Sequence, residues 1–132
     1  MKQLLTILCL VLLSSYSYSQ EVIPDFETVT REGLVYHKSP TEPFTGTVET
    51  FYRKGKGKLH HRENYKDGKR EGLWEEFYRN GQLNRRGNYK NGEREGLWES
   101  FDWNGKLKGE RNYKDGNFRG CYKKGKKVSC FN

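Results

Sequence analysis

The sequence predicts an all-β chain: an antiparallel meander of repeated β-hairpins forming an elongated single-layer or curled sheet. Three observations carry this. The phrase REGLWE occurs twice, beginning at Arg70 and again at Arg94, within longer stretches that align on each other. Asn-Gly or Asp-Gly dipeptides stand at Asp67-Gly68, Asn80-Gly81, Asn91-Gly92, Asn104-Gly105 and Asp115-Gly116, spaced alternately by 13 and 11 residues. Aromatic residues make up 14% of a chain that is only 33% hydrophobic and 32% charged, so burial rests on Trp, Tyr and Phe rather than on aliphatic side chains. At 132 residues there is room for one domain and little material for a thick core.

The first element is not part of the fold. MKQLLTILCLVLLSSYSYSQ places Lys2 before an apolar run from Leu4 to Leu13, and Ser17 and Ser19 then occupy the small-residue positions that precede cleavage, the pattern of a secretory signal peptide over 1–19. The run is about half the roughly 20 residues needed to span a bilayer, which argues against a transmembrane anchor after cleavage. The expected address is therefore exported: periplasm, cell surface or medium. A lead-in segment follows at 20–43, and hairpin repeats fill 44–132 in units 44–63, 64–87, 88–111 and 112–132.

Within the repeats, Asn or Asp followed by Gly is the signature of a two-residue type I′ turn, whose two central positions both need positive φ. Each segment between turns then reads as a strand. A turn at Asn80-Gly81 pairs Tyr78 with Leu83, Glu76 with Arg85 and Trp74 with Gly87; a turn at Asn91-Gly92 pairs Tyr89 with Arg94 and Gly87 with Gly96. Trp74, Tyr78, Leu83 and Tyr89 consequently share a face, with the Trp74 indole placed in the space left by Gly87. Gly72 and Gly96 are positions for a bulge or a close strand approach. In the next unit the same rule sets Trp98 opposite Arg111 and Asp102 opposite Leu107.

The other face holds Phe51, Leu73, Glu75, Phe77, Leu97, Glu99, Phe101 and Trp103, interleaved with Asn84, Arg86, Asn88 and Lys108. Only one side of a single-layer sheet is well covered unless the sheet curls or another molecule packs on it. Phe51, Phe77, Phe101 and Trp103 are thus the candidate partner-binding residues, the alternative being that these rings pack on each other within a curled sheet.

The pattern Tyr-x-(Asp/Asn)-Gly-x-x-x-Gly-x-Trp, read at 65–74 and 89–98, resembles the MORN (membrane occupation and recognition nexus) repeats, in particular the bacterial variant whose units read like NYKDGKREGLW. The resemblance extends over 33–125, where GLVYHKSPTEPFTG looks like the start of such variants. It implies a hairpin meander without catalytic residues of its own. For function it implies protein scaffolding, membrane and phosphoinositide association, or an antitoxin-like role of neutralising a partner. The last unit departs from the pattern, with Cys121 and Tyr122 in place of Leu and Trp.

Chemistry needs a convergent set of titratable groups, and the sequence offers few. His60 and His61 are neighbours on a strand and so are expected on opposite faces, unable to chelate one metal together. Asp67 and Asp115 are turn formers, and GKGK at 55–58 lacks the context of a phosphate-binding loop. The expectation is no catalytic, cofactor or metal residue, and no enzyme. The net charge of +8 fits a solvated surface of alternating Lys, Arg and Glu; an exported chain seldom meets nucleic acid. Lys123, Lys124, Lys126 and Lys127 form the densest basic cluster and are the candidate anionic-surface residues, for lipid phosphates or acidic glycans. Cys121 and Cys130 are the two cysteines outside the leader, and export favours a disulfide between them. A turn on Gly125-Lys126 sets them directly opposite each other, whereas a turn on Lys124-Gly125 makes them diagonal neighbours; the first is preferred because it favours the bridge. The resulting expectation is an exported binding or scaffolding module that uses a sheet face for a protein partner. The alternatives are an anionic-surface binder through the Lys-rich end and an antitoxin-like protein, with partner and oligomeric state open.

Overall fold

Nine strands build one sheet, in a computed structural model that describes residues 20–38, 42–54 and 57–130. The predicted signal peptide lies outside the described residues. The strands are β1 (Val22–Pro24), β4 (Gly46–Phe51), β5 (Leu59–Lys66), β6 (Lys69–Phe77), β7 (Leu83–Lys90), β8 (Glu93–Phe101), β9 (Leu107–Lys114), β10 (Asn117–Lys123) and β11 (Lys126–Val128), neighbours in that order. From β4 onward each strand pairs antiparallel with the next in sequence. This is the predicted meander, and it does not close into a barrel. The last unit, despite Cys121 and Tyr122, also forms a hairpin.

The lead-in segment is more structured than its sequence pattern suggested. β1 pairs with β4 in parallel, the one departure from the antiparallel rule among the described residues. A 3-10 turn (Asp25–Glu27) then leads into a separate hairpin of β2 (Thr28–Arg31) and β3 (Leu34–His37). That hairpin docks on the first repeat by backbone hydrogen bonds, from Val35 N to Gly68 O (2.9 Å) and from Phe44 N to Val35 O (2.8 Å). Ile23, Phe44, Val48 and Tyr65 form a buried cluster there, with Val35 packed against it. In a stack of repeats, the terminal unit has an open side that something atypical must cover; here β1 and the β2–β3 hairpin do so.

The turns are of two kinds, which corrects the expectation of a type I′ turn throughout. Asp67-Gly68, Asn91-Gly92 and Asp115-Gly116 have positive φ at both residues, as type I′ requires. At Asn80-Gly81 and Asn104-Gly105 only the glycine does (φ 86° and 83°). There Gly81 N donates to Tyr78 O and Tyr78 N to Gln82 O, each at 2.8 Å, and Asp102 to Lys106 repeat the pattern. This is a type I turn continued by a glycine G1 bulge, a three-residue hairpin loop. It lengthens the connection by one residue, so Leu83 pairs with Phe77 and Leu107 with Phe101, not with Tyr78 and Asp102.

Gly72 and Gly96 adopt φ of 87° and 72° where the β5–β6 and β7–β8 registers shift, so the expected bulges are present. They move Gly87 out of register with Gly96: Arg86 pairs with Glu99 and Asn88 with Glu95. The last turn is also corrected. Cys121 pairs with Val128, Tyr122 with Lys127 and Lys123 with Lys126, because Lys124 and Gly125 take positive φ (51° and 74°) and make the type I′ turn of the other units. The preferred register on Gly125-Lys126 is therefore wrong. The bridge forms nonetheless: Cys130 lies past the end of β11, where the chain bends, and its Cα comes to 5.3 Å from that of Cys121.

Candidate functional site

The repeated phrase assigns one job to each residue. Arg70 O and Arg94 O accept the amide hydrogens of Gly92 and Gly116 in the following turn. Glu71 accepts the Asn91 amide (2.6 Å) and Glu95 that of Asp115 (3.0 Å), while Thr45 does the same for Asp67 (2.9 Å). These three type I′ turns are thus tied to the segment before them. The Arg70 guanidinium lies over Tyr89 and that of Arg94 over Trp98 and Tyr113. The glycine makes the bulge, the leucine faces outward, the tryptophan faces the core, and Glu75 and Glu99 pair with arginines.

Register places Val48, Trp74, Gly87 and Trp98 on one face. Ring contacts run along it from Tyr52 through His60, His61, Trp74, Trp98 and Tyr113 to Phe118, at centroid distances of 3.7 to 6.2 Å. Trp74 opposes Gly87 as expected, yet the indole that fills the space above Gly87 belongs to Trp98: a methyl group on Gly87 would overlap that ring. Trp98 is buried, and Trp74, half-buried, stacks on it at 5.2 Å. The reason is the β8 bulge, which brings Trp98 across the glycine.

At the start of this ladder, Glu63 accepts hydrogen bonds from Tyr65 Oη, Trp74 Nε1 (2.8 Å) and the Arg70 guanidinium. Burial raises the pKa of the Glu63 carboxyl, but the Tyr65 hydrogen bond and the Arg70 charge outweigh it and hold the value below the ordinary one. Burial and the same bond push the Tyr65 phenol upward.

His60 and His61 overturn the expectation of opposite faces. Thr50 pairs with His61 and Phe51 with Leu59, leaving His60 as the extra residue of a β-bulge, and a bulge re-aims side chains. Both imidazoles consequently turn to the same side, ring centroids 3.7 Å apart, with Nε2 atoms 4.0 and 3.9 Å from Glu76 Oε1. Burial, and then the neighbouring His60, lower the His61 pKa. Strand parity alone cannot find this arrangement; the same bulge recurs in the next two repeat hairpins, where the register shift leaves Asn84 and Lys108 as the extra residues.

The opposite face carries an alternating charge row, Glu49, Arg62, Glu75, Arg86, Glu99, ending at Glu110 on β9. Arg62 bridges Glu49 (2.9 Å) and Glu75 (3.6 Å), and Arg86 pairs with Glu99. Apolar side chains flank this row. Phe51, Phe77 and Phe101 share one register position, opposite Leu59, Leu83 and Leu107, and Leu73 and Leu97 share another, opposite Asn88 and Asn112. Phe51 on one flank and Leu73 and Leu97 on the other are 39%, 42% and 43% exposed. Phe77 and Phe101 are half-buried, with the Arg86 guanidinium over Phe101. Trp103 is exposed but sits at a turn tip, past the end of β8, its carbonyl accepting from Asn80.

The four lysines of the Lys-rich end all lie on the C-terminal hairpin. Lys124 occupies the turn tip, Lys123 and Lys126 pair across the strands, and Lys127 opposes Tyr122 and faces Gly120. All four are exposed. Among the described residues, no helix is long and apolar enough to cross a membrane.

Residues 70–91 and 94–115 each match the MORN repeat variant family, two consecutive repeats that coincide with β6–β7 and β8–β9 together with the type I′ turns that follow them. No curated protein and no solved structure matches the chain.

Proposed function

We propose that this chain, two of whose units are MORN repeat variants, is an exported, non-enzymatic module that binds a protein partner on the charge-row face of its sheet. Repeats of this kind are generally protein- or lipid-binding modules. The observation that carries the choice of face is the apolar surface of Phe51, Leu73 and Leu97 on either side of the charge row, each about two-fifths exposed on the face away from the aromatic ladder. Apolar side chains repeated on the open side of a sheet are of use against another molecule, while the adjoining Glu and Arg row fixes orientation rather than affinity.

The test is binding of envelope proteins to the purified chain, compared with the triple variant Phe51→Ser, Leu73→Ser, Leu97→Ser. The expected result is retention that survives moderate salt and is lost in the variant, whose far-UV circular dichroism stays unchanged. Retention abolished by moderate salt but insensitive to the triple variant assigns binding to the lysines at the C-terminal hairpin and overturns the choice of face.

A further inference from the structure

We propose that His60, His61 and Glu76 form a binding site for one divalent d-block metal ion, with zinc the fitting choice. Two imidazoles and a carboxylate are a ligand set of the kind zinc takes, with a remaining position for water; nitrogen donors select against calcium and magnesium, which take oxygen. One ligand atom from each residue lies within 4.8 Å of the other two. In a tetrahedral zinc site with bonds near 2.05 Å, neighbouring donors stand about 3.3 Å apart, so small side-chain rotations close the cluster around an ion without moving the strands.

Three further features suit a metal. His60 and His61 are adjacent on one bulge and Glu76 is directly across the strand pair from His61, so the backbone holds the donors together. Arg85 Nε stands 3.8 Å from Glu76 Oε2, on the carboxylate oxygen away from the imidazoles, and such an outer contact orients a ligand. Side-chain exposures of 30%, 26% and 19% leave a path for the ion.

The repeat supplies an internal control. The positions equivalent to His60, His61 and Glu76 are Asn84, Arg85 and Ser100 in the next hairpin, and Lys108 and Gly109 stand for the two histidines in the one after. The sheet forms at those positions without imidazole or carboxylate, so the triad is not a requirement of the fold.

Zinc sulfate titrated calorimetrically into the full chain at neutral pH is expected to bind one equivalent. His60→Gln, His61→Gln and Glu76→Gln should each weaken that binding about tenfold or more, with circular dichroism unchanged, while His37→Gln leaves it as it was. In the unaltered chain, the imidazole NMR signals of His60 and His61, and not that of His37, should shift with zinc, which decides the matter even where a variant fails to fold. Absence of saturable binding, binding unaffected by Glu76→Gln, or shifts confined to His37 overturns the proposal.

Discussion

At the scale of single residues, the sheet is held by a few positions where a side chain crosses from one strand to the next. Gly87 is the sharpest case, since its missing Cβ is where the Trp98 indole lies. Gly87→Ala is expected to destabilise the protein by about 1 to 3 kcal/mol by overpacking. Gly109→Ala, whose new methyl would meet only Ser100 Oγ at 4.0 Å, should stay within about 0.5 kcal/mol. Urea midpoints of the two variants check the contrast. By the same reasoning Trp98→Ala, at 7% exposure, should cost about 3 to 5 kcal/mol, and Trp103→Ala, at 65% exposure, far less. His61 and Glu63 add a pH dependence. Burial, and then the His60 charge, lower the His61 pKa below its ordinary 6.5, with Glu76 and Glu63 raising it and Arg70 lowering it more weakly. A base depressed by folding contributes fully above its unfolded pKa and loses that contribution as pH falls through it toward the folded value. Glu63, also depressed, acts in the same direction below 4.5. The thermal midpoint should therefore fall between pH 7 and about pH 5, and His61→Gln should flatten that part of the profile.

At the scale of the element, the hairpins alternate between two turn geometries, and the same dipeptide serves both. Asn91 has φ of 50° in a type I′ turn, whereas Asn104 is the residue before the αL glycine of a G1 bulge and has no positive φ. Asn91→Ala should cost about 1 to 2 kcal/mol, the penalty for a Cβ in the left-handed region, and Asn104→Ala a few tenths. Chemical denaturation of the two variants distinguishes the turns; equal losses would mean that they are of one kind. Asn-Gly was legible as a turn in both places because Asn and Gly tolerate either geometry. The choice between them lies in the strand lengths on either side and in contacts from the neighbouring hairpin: Glu71 reaches the Asn91 amide, while Asp102 caps the amides of Asn104 and Lys106.

At the scale of the whole molecule, a row of hairpins has two open ends, and the chain closes them differently. The N-terminal end is covered by β1 and the β2–β3 hairpin around Ile23, Phe44, Val48 and Tyr65. The C-terminal end has the three-residue edge strand β11, fastened by Cys121–Cys130 across a separation of 9 residues. A loop that short constrains the unfolded chain modestly, so Cys121→Ser with Cys130→Ser should lower stability by about 2 to 3 kcal/mol at most. Hydrogen exchange should then speed up in β10 and β11 while β5 to β8 keep their protection.

The sequence by itself determined the order of the strands from β4 onward and the bulges at Gly72 and Gly96. Those features follow from local rules: positive-φ residues at fixed spacing, period-two alternation, and a repeat that applies the same rules again. Tertiary structure alone decided which indole lies over Gly87, which turn closes the last hairpin, and how His60 and His61 come to face Glu76 together. Each of these depends on a one-residue slip between strands, and such a slip reverses which side a residue faces. Whether a slip occurs is settled by the packing of two strands against each other, which no single strand encodes.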